Sequence, residues 1–208
     1  MIDNIILFAE KGGVLIIPLV ICSIISLAVI IEKFFSLRRK KVIIPEVKSV
    51  VDNIASEDDI KLALNVCEQH KGVLSNIVKL VLEHDGSNYL QMRDELSDSG
   101  RQEIRVLERG LVILETIATV TPVLGLLGTV IGMIKVFNVI ALQGVGEASA
   151  LSGGISEALI TTAAGLTVGI PALIFYNYFS KKVENLILDI EHISNNLLKK
   201  IISFRREK

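Results

Sequence analysis

Thr129 and Thr162 are hydroxyls set inside apolar runs, and each lies within a series of small residues. In one series Ala118, Pro122, Gly125, Thr129 and Gly132 recur at spacings of 4, 3, 4 and 3; in the other Gly154, Ala158, Thr162, Gly165, Gly169 and Ala172 recur at 4, 4, 3, 4 and 3. Such spacing puts each series on one side of a helix. Gly128-x-x-x-Gly132 and Gly165-x-x-x-Gly169 also fit the small-xxx-small pattern that lets helices approach closely in lipid. Packing against one neighbour needs few small residues, so series this long are expected to form smooth walls facing a pore or a partner helix. The competing reading of the same glycines is plain packing within one chain. On smooth walls, Thr129 and Thr162 would offer hydroxyls to water or to a proton-carrying side chain.

The charges near these runs are few. Glu115 and Lys135 bracket the first, and Glu157 opens the second. Intramembrane charges face protein or water, so Lys135 and Glu157 either pair at the outer edge or snorkel separately to the interface. No carboxylate or histidine occurs in the middle of any apolar run. Threonine does not change protonation at physiological pH, so a proton-carrying group must come from another chain.

These residues need helices long enough to cross a membrane. Gly12 to Ile31 is a charge-free stretch followed by Glu32-Lys33 and the basic run Arg38 to Lys41. Its leader, MIDNIILFAEK, lacks a basic character, and the run has no A-x-A-like exit, so it reads as a retained span and not a cleaved signal. The second span covers about Leu111 to Leu142 and the third about Ala158 to Ser180. Half of the 208 residues are hydrophobic and the mean hydropathy is +0.55, which befits such a protein and no ordinary soluble domain.

Of the 22 lysines and arginines, all but Lys11 and Lys135 fall in 33–109 or 181–208. Basic loops stay in the cytoplasm, so the N-terminus and the link Gln143 to Ser156 are expected outside, and 36–110 and the tail inside. The fold class is therefore all-α: a three-span transmembrane helical protein with spans two and three extended into a cytoplasmic helical bundle. Four regions follow: 1–35 with the first span, 36–110 cytoplasmic, 111–180 with spans two and three, and 181–208 as a cytoplasmic helix. Ser56 and Asp59 resemble a capping box opening a helix to about His70, with Gly72 as its stop, and Leu74 to His84 forms another ending before Asp85-Gly86. Ile104, Leu107, Leu111 and Leu114 repeat at 3-4-3 ahead of span two; Val183, Leu186, Ile190, Ile193, Leu197 and Ile201 continue after span three. Both spans are expected to run on as helices that pack through these stripes.

Other chemistry has no constellation to carry it. His70, His84 and His192 lie far apart without ligand spacing, so no metal or cofactor is expected. Cys22 and Cys67 form no disulfide framework. The glycines of GLLGTVIG make neither a dinucleotide fingerprint nor a phosphate loop, and there is no nucleophile elbow, so the chain does not read as an enzyme. Arg38 to Lys41, just after a span, is a topology anchor touching anionic lipid and not a nucleic-acid patch.

ATVTPVLGLLGTVIGMIKVF (118–137) and GGISEALITTAAGLTVGIPALIFYNYF (153–179) closely resemble the MotA/TolQ/ExbB proton-channel family, in its ExbB/TolQ branch. PLVICSIISLAVIIEKFFSLRR and ALNVCEQHKG fit as well, so the resemblance covers nearly the whole chain. It implies a homo-oligomeric, pentameric ring in the bacterial inner membrane around a dimeric ExbD/TolR-like partner, whose single span carries a proton-shuttling aspartate. Carried onto matching positions, Thr129 and Thr162 become lumen-facing hydroxyls, Glu157 the functionally sensitive acid and Pro122 the family's proline. Gly125, Gly132, Ala158, Gly165 and Gly169 would share the partner-facing wall. Thr121 departs from the more usual Ala or Ser. The rival readings are a non-conducting oligomeric scaffold recruiting cytoplasmic proteins, and a self-sufficient ion channel, against which the missing titratable mid-membrane residue argues.

Overall fold

A computed structural model describes residues 12–83, 89–144 and 148–206. Every regular element among them is a helix: α1 Ile16–Ser36, α2 Arg39–Val42, α3 Pro45–Asn53, α4 Glu57–Gln69, α5 Val73–Glu83, α6 Tyr89–Glu108, α7 Leu111–Gln143 and α8 Ala148–Arg206. Segments in α1, α7 and α8 are long and apolar enough to cross a membrane. At ~1.5 Å per residue the 21 residues of α1 measure ~30 Å, about one hydrocarbon layer. The leader 1–11, His84, Asp85-Gly86 and part of the expected link (145–147) lie outside the described residues.

The chain divides into two units. The first comprises residues 12–31 and 110–178: most of α1, all of α7 and the first half of α8. Its centre is the α7–α8 seam, where glycines remove the side-chain layer. A Cβ on Gly165 would stand 2.6 Å from the Thr121 carbonyl and 2.9 Å from Gly125 Cα; one on Gly125 would stand 3.1 Å from Thr162 Cα. Further along, a Cβ on Gly132 would lie 2.7 Å from Ala158 Cβ, and one on Gly169 the same distance from Pro122 Cγ. Lipid offers no hydrophobic drive between helices, so this contact rests on van der Waals packing at backbone range and on hydrogen bonds. Large apolar side chains on the other faces, such as Val123, Leu126, Phe137, Leu159 and Ile174, are exposed.

The second unit comprises residues 32–83, 89–109 and 179–206. Val183, Leu186, Ile190, Ile193, Leu197 and Ile201 are all buried, as their spacing predicts. So are Leu74, Val78 and Val81 of α5 and Val47 and Val51 of α3. Phe34 meets Phe179 edge to face at 5.8 Å. Two lysines close helix ends. Lys33, 2% exposed, donates from Nζ to the Leu107 carbonyl in the last turn of α6 at 3.1 Å. Lys200 donates to the Val51 and Asp52 carbonyls at the end of α3. Of the basic run, Arg38 lies over the Phe35 ring and Arg39 pairs with Asp189 at 2.9 Å.

Three boundaries differ from expectation. Span two does not continue inward as one helix: α6 ends at Glu108, and Gly110, at φ +88°, turns the chain before α7 starts at Leu111. A left-handed residue cannot propagate an α-helix, and glycine takes that conformation without a Cβ penalty. The apolar 3-4-3 pattern across it survives as burial of Leu107, Leu111 and Leu114, but on two helices. Gly72 does not stop α4, which ends at Gln69 with His70 as its cap; instead the Gly72 carbonyl accepts from the Asn76 amide and opens α5. Finally, α8 starts at Ala148, ten residues ahead of the apolar run, because Ser, Gly and Glu weaken hydropathy without breaking a helix.

The capping box is present. Ser56 caps α4, and Asp59 accepts from the Ala55 and Ser56 amides at 3.0 and 2.8 Å. The Ala55 amide, then the Ser56 hydroxyl, hold the Asp59 carboxyl below the usual aspartate range. A lowered folded-state pKa means that the cap contributes above the ordinary aspartate pKa and is lost as pH falls through the folded one. Thermal melts of wild type and Asp59→Ala should therefore differ at neutral pH and converge in acid, below the ordinary aspartate range. Seam glycines divide from open ones: Gly165→Val should lower stability by about 1–3 kcal/mol through overpacking. Gly153→Ala, whose added Cβ meets nothing within 4 Å, should raise stability by up to ~1 kcal/mol, both read from melts in detergent.

Candidate functional site

One end of the first unit gathers its polar groups at a corner. Lys135, near the end of α7, reaches across to Glu157 in α8: its Nζ donates to Oε1 at 2.6 Å and to Oε2 at 2.8 Å. The lysine side chain is 54% exposed and the glutamate side chain 21%. Below the carboxylate lies the turn that leads into α1. Gly13 there has φ +66°, and a Cβ on it would collide with Glu157 Oε1, so only glycine satisfies both the turn and the approach. Thr161, one turn after Glu157, is 1% exposed. Its hydroxyl is shared between the carbonyls of Glu157, at 2.7 Å, and Gly12, at 3.0 Å. On its other side Thr161 packs onto Gly128 of α7, where a Cβ would collide with it. Three chain segments thus meet at Thr161.

Farther along the seam, Thr162 donates to the Gly125 carbonyl at 2.9 Å, an interhelical bond made possible by the missing side chain at Gly125. Thr129 donates to Leu126 within its own helix at 2.6 Å. Both threonines are half-buried. A hydroxyl has one hydrogen and two lone pairs. With the hydrogen given to a carbonyl, each presents acceptor capacity to whatever stands beside it, and a group carrying its own proton is the complementary partner. Thr121, fully buried, donates to Ile117 at 2.8 Å one turn above the amide that Pro122 lacks.

Within the chain the small residues meet along the seam. Gly125, Gly132, Ala158, Gly165 and Gly169 are neighbours of one another or of Pro122 and the threonines inside a single chain. The alternation of small residues brings the two helices to backbone contact. Lys135 and Glu157, for which pairing and snorkelling stood open, are paired. Thr161, Gly12 and Gly13 were not singled out from the sequence. The signal for Thr161 was its position four residues after Glu157, on the same helical face; the turn at Gly12-Gly13 carries no sign of where it docks.

Comparison with known proteins places this arrangement. Residues 68–192 match the MotA/TolQ/ExbB proton channel family. Putative biopolymer transport protein ExbB-like 1 of Synechocystis sp. is 36% identical over 177 residues, 80% of this chain and 66% of that protein. ExbB-like 3 of the same organism is 31% identical over 176 residues, 81% of each. Biopolymer transport protein ExbB of Aquifex aeolicus is 35% identical over 108 residues, half of this chain and 73% of that protein. The chain thus spans about two thirds of the first relative's length. The family match takes in all of α7, the seam and the Lys135–Glu157 pair, and three of the helices have the length and apolarity of membrane spans. This membrane protein belongs to the MotA/TolQ/ExbB proton channel family, on its ExbB branch.

Proposed function

We propose that the chain is the ring-forming subunit of a proton-driven motor in the bacterial inner membrane. It couples the proton gradient to energised transport or envelope work through an ExbD/TolR-like partner with one span and a membrane aspartate. Membership of a proton channel family supports conduction. The distribution of lysine and arginine supports an N-terminus outside and a C-terminus in the cytoplasm. The pentameric ring is carried over from the resemblance. The observation that carries the mechanism is the state of Thr129 and Thr162: both hydroxyl hydrogens are committed to carbonyls, which leaves acceptors beside an apolar surface.

A neutral, protonated aspartic acid on a partner helix donates its hydrogen to such an acceptor. An ionised aspartate finds no donor there and is driven on to water. A potential of 100 mV is worth ~2.3 kcal/mol per charge moved, and successive protons accumulate it into work. The small residues of the seam hold α7 and α8 at backbone range within the chain. That same engagement favours a second reading, a non-conducting scaffold whose glycines serve only to bring α7 and α8 together.

Proton flux into liposomes, with and without the aspartate-bearing partner, separates the two: the motor conducts only with the partner, the scaffold in neither case. Thr162→Val should abolish this flux and leave assembly intact. It removes a hydrogen bond of the kind worth ~0.6 kcal/mol on average in membrane helices, too little to undo the seam. Thr162→Ser should retain flux. A fully active Thr162→Val protein would remove Thr162 from the pathway.

A further inference from the structure

Most of α6 is not seated on the bundle beneath it. Among its described side chains only Leu107 is buried, whereas seven of the 11 residues of α5 are. Leu96, Gly100, Ile104 and Leu107 recur at spacings of 4, 4 and 3, the inward face of a helix. That face lines a cavity of about 540 Å³ whose other walls are α5, at Ile77, and α8, at Ile190. A Cβ added to Gly100 would meet nothing within 4 Å. Helix faces that look into a void forfeit the dispersion contacts of a packed neighbour. The root of α6 is held far better. There Lys33, 2% exposed, donates to the Leu107 carbonyl at 3.1 Å, just before the left-handed turn at Gly110. One turn earlier Asn76 donates to Glu103 at 2.8 Å, but in the open, where water competes for both groups. Arg101 of α6 and Glu191 of α8 also line the cavity, with opposite charges, and among the described residues neither is in an ion pair.

We propose that α6 is a strap, latched at its root by Lys33 and pivoting at Gly110, that closes the cavity by laying Leu96 and Ile104 onto α5 and α8 and bringing Arg101 to Glu191. A glycine between two helices absorbs a change of angle in a few dihedrals, which an unbroken helix does not. Leu96 lies ~20 Å along α6 from Gly110 at ~1.5 Å per residue, so a turn of ~10° at the root moves it ~3.5 Å. Closure gains apolar contact on both walls and joins two charges that stand apart when the strap is raised. Lys33 keeps the root in place while the far end moves. The strap is independent of the proton-channel reading, and its test does not measure flux.

The test is hydrogen exchange of the full chain in lipid nanodiscs, read peptide by peptide by mass spectrometry. In wild type the amides of 98–107 should exchange about tenfold or more faster than those of α5. Lys33→Met keeps the apolar stem and removes the donor; it should speed exchange in α6 by about tenfold again and leave α5 unchanged. Arg101→Glu sets like charges on the two walls and should speed α6 by about two- to fivefold, and adding Glu191→Arg should restore the wild-type rate. Wild-type α6 amides as slow as those of α5 overturn the strap, and this arm holds even where a variant fails to fold. A Lys33→Met protein in which α5 and α6 accelerate together, the mark of a loosened bundle, overturns it as well, as does one in which neither changes. So does a charge reversal at Arg101 that leaves the rate alone, or one that Glu191→Arg does not repair.

Discussion

Where Gly165 meets Thr121 and Gly125, and Gly125 meets Thr162, no side-chain layer separates α7 from α8. This backbone contact fixes the remaining polar geometry of the first unit. The Thr162 hydroxyl spans to a carbonyl on α7 because Gly125 places nothing in between. The same close approach, continued through Gly132 and Ala158, brings Lys135 within hydrogen-bonding distance of Glu157. Had either helix carried leucines along the seam, interaxial distances would be those of ordinary helix pairs, 8–10 Å, and a threonine would not reach a main-chain oxygen across them. Close contact also suits the medium: in hydrocarbon, dispersion between fitted surfaces and satisfied hydrogen bonds are what hold helices together.

Charge in this protein is handled by local answers. Lys33 is taken up by the carbonyl that ends α6, Lys200 by two that end α3, Arg39 by Asp189 and Lys135 by Glu157. Helix ends leave carbonyls without intrahelical partners and carry partial negative charge, so a lysine placed there satisfies an acceptor and meets the dipole at once. Lys33 shows the strength of that requirement. Its side chain is almost wholly covered, yet its ammonium has an acceptor, and no described buried side-chain polar atom lacks one. Burial also raises the Cys67 thiol pKa, although Lys79 opposes the shift, which marks it as a packed thiol and not a reactive one.

Much of this architecture was legible because its signals are periodic or local. The stripe from Val183 to Ile201 repeats at helical spacing and is buried throughout, and Ser56 with Asp59 forms the capping box its spacing announces. Boundaries set by a single backbone angle were not legible: Gly110 interrupts an apolar pattern that runs unbroken through the sequence, and nothing in composition distinguishes its left-handed turn from the right-handed helical glycines at Gly125 or Gly165. The direction of the small faces was not legible either. A periodic series of glycines says which residues share a side of a helix and is silent on whether that side meets its own chain, another copy or a pore. Thr161 escaped for a related reason. It differs from Thr162 by one helical step, about 100° of rotation, and only the packed structure shows which of the two hydroxyls points inward.

The seam also alters what kind of observation bears on conduction. Small residues engaged with each other are equally at home in a channel and in a scaffold, so they do not separate the two. Thr129 and Thr162, both half-buried, give their hydroxyl hydrogens to carbonyls. Thr116, Thr119 and Thr167 also give their hydroxyl hydrogens to carbonyls of their own helix, so this bonding by itself suits either reading. A side chain that arrives with its own proton can donate to such a hydroxyl, and one that has lost it cannot, so acceptor sites of this kind reward the neutral form of a visiting acid over the charged one. In the proposed motor, that preference for one protonation state is what the fixed wall would supply to a visiting acid, through two hydroxyls that never ionise.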